Sequence, residues 1–155
     1  MAFAFLLHVL SAVIWVGGMF FAYVCLRPVA ASVLPPPQRL TLWAQVFERF
    51  FPWVWAAVVL LLATGLWMVF GFYGGMKQVG VHVHVMLLLG IIMMLIFGHV
   101  YFAPFRRLRQ AVQAENWPEG GNRLGQIRKL IAVNLTLGLL LVVIATGGKY
   151  LAGLF

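Results

Sequence analysis

Four long apolar stretches constrain this chain more than any other feature. They cover about residues 2–26, 50–73, 81–103 and 130–153. Each stretch is long enough to cross about 30 Å of hydrocarbon as a helix that rises 1.5 Å per residue. Hydrophobic residues make up 64% of the chain and charged residues 9%, against about 45–50% and about 25% in soluble domains. We therefore predict an all-α, integral membrane four-helix bundle that forms a single domain over residues 1–155.

The basic residues are concentrated in two of the three connections between these stretches. The first and third connections carry Arg27, Arg39, Arg49, Arg106, Arg107, Arg109, Arg123, Arg128 and Lys129. The second connection has only Lys77, and Lys149 lies near the end of the fourth stretch. The positive-inside rule places the basic connections in the cytoplasm and both termini outside. Contact with anionic lipid accounts for the net charge of +8 better than nucleic acid does.

Both basic connections contain a local pattern. In the first, Leu40, Trp43, Phe47 and Phe50 recur at helical spacing, which predicts a short amphipathic helix lying at the cytoplasmic interface. In the third, residues 116–121 read Asn-Trp-Pro-Glu-Gly-Gly, a composition typical of a turn between helical extensions.

The scarce acidic and cysteine residues exclude several kinds of site. The three acids, Glu48, Glu115 and Glu119, all lie in connections. A paired-carboxylate active site and an acidic proton relay inside the membrane are therefore excluded. The single Cys25 excludes an internal disulfide, a CxxC redox pair and a CxxCH haem attachment site.

Ionisable residues inside apolar spans are costly and indicate function. Under the predicted topology, His8, His82, His84 and Lys149 share a layer near the outer face. His99 lies fifteen residues beyond His84, about 22 Å further in at helical rise. The histidines are therefore the main candidates for functional residues in this chain.

The first interpretation is haem. His8 and His84 lie at one depth on different helices, as the axial ligands of a b-type haem require. His82 and His84 point about 160° apart on a regular helix, so only one of them is expected to bind the haem. His82 is therefore the alternative ligand to His84. Lys149 or Lys77 would neutralise the propionates. This interpretation predicts a small membrane cytochrome b, a possible oxidoreductase that exchanges electrons with quinone or a periplasmic redox protein.

The second interpretation is copper. His82, Met86 and Met93 form a stripe of soft ligands suited to Cu(I), with His8 and Met19 as further ligands. Methionines on apolar helices more often serve packing alone, so the two interpretations stay open at this point.

A second site is expected near the cytoplasmic surface. His99 and Asn134 lie at similar depth on different spans, so a hydrogen bond between them is one expectation. A quinone site or a contact with another subunit is the other. The glycine-rich helices also suggest that two copies of the chain pair as a homo-oligomer.

Several stretches resemble the CopD-like family of bacterial membrane proteins. They are Leu-His-Val-Leu-Ser-Ala-Val-Ile-Trp-Val-Gly-Gly-Met-Phe at 7–20, Phe-Phe-Pro-Trp-Val-Trp at 50–55, His-Val-Met at 84–86, His-Val-Tyr-Phe at 99–102 and Arg-Lys-Leu at 128–130. The resemblance implies a multi-pass protein of the bacterial inner membrane that acts in copper resistance or uptake.

The first helix also resembles HemJ-type protoporphyrinogen oxidases, which are small four-helix haem-binding membrane proteins. The matching positions are His8, Trp15, Gly18, Met19 and Arg27. Those enzymes carry His-x-Lys early in the third helix, where this chain reads His82-Val83-His84. The resemblance implies haem-biosynthetic oxidation as a third hypothesis.

Overall fold

Four long helices make up nearly the whole protein. The computed structural model describes the backbone of residues 1–151 and the side chains of residues 1–147. The helices are α1 (Ala2–Val33), α2 (Pro36–Phe72), α3 (Val81–Gln113) and α4 (Trp117–Leu151). All four contain stretches long and apolar enough to cross a membrane, and no strand occurs among the described residues. The predicted all-α four-helix architecture is confirmed.

The helices extend beyond the predicted spans because π-helical turns accommodate two prolines. Pro28 follows a π-helical turn over Phe21–Leu26, and Pro104 lies within another over Tyr101–Phe105. Proline has no N–H and therefore interrupts the regular hydrogen bonding of an α-helix. The wider π-helical turn shifts the neighbouring hydrogen bonds, so that the helix continues past the proline. The first helix ends instead at Leu34, whose extended backbone precedes Pro35.

The apolar pattern of the first connection belongs to α2. The helical spacing of Leu40, Trp43 and Phe47 is confirmed, but they lie in the first turns of α2 and not in a separate helix at the membrane surface. All three are buried. Phe47 packs edge-to-face against Phe105 of α3, with ring centroids 6.1 Å apart. The stripe therefore packs against the parts of α3 and α4 that extend beyond their apolar spans.

The turn between α3 and α4 lies earlier than expected. Glu115 has a positive φ of 52°, and the chain is already helical from Trp117 onward. Pro118 is tolerated there because the first turn of a helix needs no intrahelical partner for its N–H groups. Gly120 and Gly121 are therefore helical residues and not part of the turn.

The core is densest toward the end of the bundle that carries the two basic connections, here called the basic end (residues 27–49 and 106–129). The most extensive packing joins α1 to α2 and α3 to α4. Phe51 lies among aromatic rings, with centroids 4.8 Å from Phe105 and 5.4 Å from Phe97. The opposite end, here called the histidine end (residues 1–12, 60–73 and 81–92), has few fully buried side chains.

Candidate functional site

One face of α3 points into the bundle and carries His82. Met93 on this face is buried, at 2% exposure, and Met86 and His82 are half-buried. Leu88 and Leu95 on the opposite face are 60% and 69% exposed. The rotation of α3 thus places His82, Met86 and Met93 on its inward face, and the His82 ring itself lies beside Gly80 at the start of the same helix.

His84 belongs to the outward face of α3. Its side chain is exposed, and its Nδ1 lies 3.3 Å from the carbonyl oxygen of Gly80 on the same helix. The structure therefore does not bring His84 together with His8 as a pair of axial ligands between α1 and α3. Haem b gains no support from this arrangement, because the rotation of α3 turns the required imidazole away from α1.

The inward face of α1 carries His8. Ser11, Trp15 and Met19 on this face are all buried, and His8 itself is half-buried. Its Nδ1 lies 2.9 Å from the hydroxyl oxygen of Thr64 on α2. The predicted face of α1 is thus the one that packs, and His8 sits where α1 meets α2.

The hydrogen bonds around Thr64 favour one tautomer of His8. The Thr64 hydroxyl donates its hydrogen to the carbonyl oxygen of Leu60, so toward His8 it acts as an acceptor. An acceptor at this position favours the tautomer with the imidazole hydrogen on Nδ1 and the lone pair on Nε2. Metal-binding histidines typically donate their second ring N–H to an oxygen in this way. In this tautomer, Nε2 is the ring nitrogen of His8 that could hold a metal ion.

Glycine allows the His8 ring to approach α2 closely. A Cβ atom at Gly65 would lie 3.3 Å from Cε1 of His8, which is tighter than ordinary van der Waals contact. Sequence reasoning missed both Thr64 and Gly65. The available signal was Thr64 itself, the one hydroxyl residue between Phe50 and Phe72.

The contacts of Gly138 on α4 relate the depth of His8 to that of the α3 stripe. A Cβ atom there would lie 2.9 Å from Cγ2 of Val16 and 3.2 Å from Cε of Met93, so these two side chains share a level. At helical rise, His8 lies about 12 Å from Val16 toward the histidine end, and Met86 about 10 Å from Met93 in the same direction. His8 and Met86 therefore lie at nearly the same depth.

The donors available at this depth are imidazoles and thioethers. Within the described part of the chain, no three His, Cys, Asp or Glu side chains cluster closely enough to hold a metal ion. Any site built from His8 and the α3 stripe therefore includes methionine sulfur, which is a ligand for soft ions such as Cu(I).

The structure does not join His99 and Asn134 by a hydrogen bond. Asn134 is buried and its Nδ2 donates to the carbonyl oxygen of Met93 at 3.2 Å, whereas His99 is exposed. Oδ1 of Asn134 has no partner among the described residues. Asn134 and Met19 line a largely apolar central cavity of about 250 Å³. The side chain of Lys149, predicted to contact a haem propionate, lies outside the described residues.

Comparison with known proteins gives one family. The family profile of copper resistance protein D matches residues 44–147, which is more than half of the 155 residues. Neither the curated proteins nor the solved structures contain a match. The match includes most of α2, all of α3 and α4 to the end of the described side chains. With its four apolar helices, the chain is a multi-pass membrane protein that belongs to the copper resistance protein D family.

Proposed function

We propose that this protein binds copper ions at its histidine end and passes them along the inside of the bundle. Copper is the cargo in this proposal, held as Cu(I). The observation that carries it is the inward orientation of His82, Met86 and Met93 on one face of α3. Membership of the copper resistance protein D family supports copper as the cargo.

The donor set suits Cu(I) better than harder ions. Thioether and imidazole groups favour Cu(I), whereas carboxylates favour Mg²⁺, Ca²⁺ and Mn²⁺, and all three glutamates lie at the basic end. A charged ion inside the membrane also needs ligands that replace its water. His8 supplies an imidazole whose Nδ1 lies 2.9 Å from the Thr64 hydroxyl, and Met86 supplies a thioether at nearly the same depth.

The stripe also offers a path along the bundle. Met93 lies deeper than Met86 on the same face, and its backbone carbonyl accepts the hydrogen bond of Asn134. Asn134 and Met19 line the central cavity next to this level. We infer that copper moves from His82 and Met86 toward Met93 and then to the cavity, with Met19 as a further ligand.

A pair of variants on one helix tests the proposal. Cu(I) affinity is measured anaerobically by competition with a chromogenic chelator, on the full chain in detergent, and copper uptake is measured in proteoliposomes. His82→Ala removes an inward ligand and should weaken binding by at least about tenfold, the scale seen when metal-site groups are lost. His84→Ala removes an exposed imidazole two residues away and should leave binding within about twofold.

Two outcomes would contradict the proposal. One is a wild-type protein that neither binds Cu(I) nor transports it. The other is an equal loss in His82→Ala and His84→Ala, because the exposed His84 would then contribute as much as the inward stripe.

A further inference from the structure

A second cavity lies at the basic end, away from the histidines. It measures about 240 Å³ and opens between α1, α2 and α4. Three arginines line it, each from a different helix: Arg27 from α1, Arg39 from α2 and Arg128 from α4. Trp43 and Trp117 also line the cavity. Of the nine basic residues at this end, only these three surround the cavity.

The cavity arginines have no carboxylate partner among the described residues. Elsewhere at this end two of the three acids are paired, Glu48 with Arg109 at 2.9 Å and Glu119 with Arg123 at 2.6 Å. No glutamate lines the cavity. Like charges that share a cavity repel one another, and more so where protein excludes water. An anion in the cavity would offset this repulsion.

The contacts of two cavity arginines leave their charge uncompensated. The Arg27 guanidinium lies over the Tyr23 ring, 4.5 Å from the centroid. Nη1 of Arg39 lies 3.4 Å from the carbonyl oxygen of Ala31, a weak contact at that distance. Guanidinium groups prefer phosphate and carboxylate oxygens, which they bind in a bidentate manner.

The rest of the lining is apolar and leads into the bundle. Ala22, Phe47 and Ile131 line both this cavity and the central cavity. A ligand that fills the space therefore has an anionic group at the arginines and a hydrocarbon part over these side chains. Phospholipids of a membrane have this combination.

We propose that this cavity binds an anionic phospholipid, with the phosphate at Arg27, Arg39 and Arg128 and an acyl chain over the apolar floor. The proposal does not rest on copper binding: the arginines lie at the basic end, and only the apolar part of the lining adjoins the central cavity on the proposed copper path. A basic cavity between helices differs from a generally basic surface, since only the cavity selects for headgroup and chain together.

Two double variants with the same change in charge test the site. Arg27→Gln/Arg128→Gln alters the cavity, and Arg106→Gln/Arg107→Gln removes two charges at the same end from outside it. Binding to the full chain in detergent is measured by native mass spectrometry and thermal unfolding. The probes are dioleoyl phosphatidylglycerol, dioleoyl phosphatidylcholine and inorganic phosphate.

The wild type should bind phosphatidylglycerol more tightly than phosphatidylcholine. The cavity variant should lose at least about tenfold in that affinity, because a hydrogen bond to a charged group contributes about this factor. The control variant should stay within about twofold. Equal loss in both variants would overturn the proposal in favour of general surface attraction, and equal stabilisation by inorganic phosphate would overturn the lipid assignment.

A cavity-filling variant provides an independent test that keeps every charge. A Cβ atom at Gly125 on the cavity wall would have no atom within 4 Å, so the side chain in Gly125→Leu has room to enter the cavity. This variant should keep its helical circular dichroism and lose phosphatidylglycerol binding. If the double arginine variant does not fold, Gly125→Leu still tests the lipid site. Unchanged phosphatidylglycerol binding in Gly125→Leu would refute the site.

Discussion

Replacing Thr64 by valine separates the role of His8 in copper binding from its role in packing. Thr64→Val keeps the shape of the side chain and removes the hydroxyl that lies 2.9 Å from Nδ1 of His8. The Nδ1 hydrogen then loses its side-chain acceptor on α2, and the ring is less restrained against rotation or a change of tautomer. Either change takes the Nε2 lone pair away from its prepared position.

The expected effect on copper exceeds the expected effect on stability. Hydrogen bonds between helices in membranes contribute about 0.6 kcal/mol on average and at most about 1.7 kcal/mol. Loss of the partner that orients a metal-binding histidine typically weakens metal affinity by about 10- to 100-fold, which corresponds to about 1.4–2.8 kcal/mol. We therefore expect Thr64→Val to fold nearly as well as wild type and to bind Cu(I) at least about tenfold more weakly.

The assay is the same anaerobic Cu(I) competition titration, combined with ¹⁵N NMR of the histidine side chains to read the tautomer of His8. Thr136→Val is the matched control, because the exposed Thr136 hydroxyl donates to Ala132 on its own helix at 2.9 Å. The control should keep wild-type affinity. If Thr64→Val matches wild type while His82→Ala loses affinity, the Thr64 hydroxyl does not orient a copper ligand. An Nε2–H signal from His8 in wild type would refute the tautomer directly.

Two further predictions concern packing, and both are read from reversible unfolding in detergent. Phe51→Ala should destabilise the protein by about 3–5 kcal/mol, since Phe51 is 3% exposed, whereas Phe102→Ala, at 67% exposure, should change stability by less than about 0.5 kcal/mol. Similar effects from both would argue against the aromatic core. Gly138→Ala should cost about 1–3 kcal/mol because its methyl would lie 2.9 Å from the stiff side chain of Val16. Gly98→Ala, where nothing lies within 4 Å, should be neutral or stabilising by up to about 1 kcal/mol, and a larger cost there would contradict the open space at Gly98.

Helical periodicity explains how much of the site the sequence could predict. Spacing alone places His8 on one face with Trp15 and Met19, and the structure buries that face. Spacing also separates His82 from His84, but it leaves open which of the two points inward. Periodicity gives angles between residues on one helix, whereas the rotation of the whole helix depends on its neighbours. The contact of Met93 with Gly138 on α4 fixes that rotation for α3.

The same distinction holds for the fold. The sequence by itself determined four membrane-spanning helices, because apolar stretches of this length have no stable alternative in lipid. Only the tertiary structure decided that residues 36–49 continue α2, since their apolar stripe serves equally well against a membrane surface or against other helices. It also decided that three arginines from separate helices share one cavity, and that Thr64 meets His8. These outcomes depend on contacts between residues far apart in the chain, and no pattern along the chain encodes which distant residues meet.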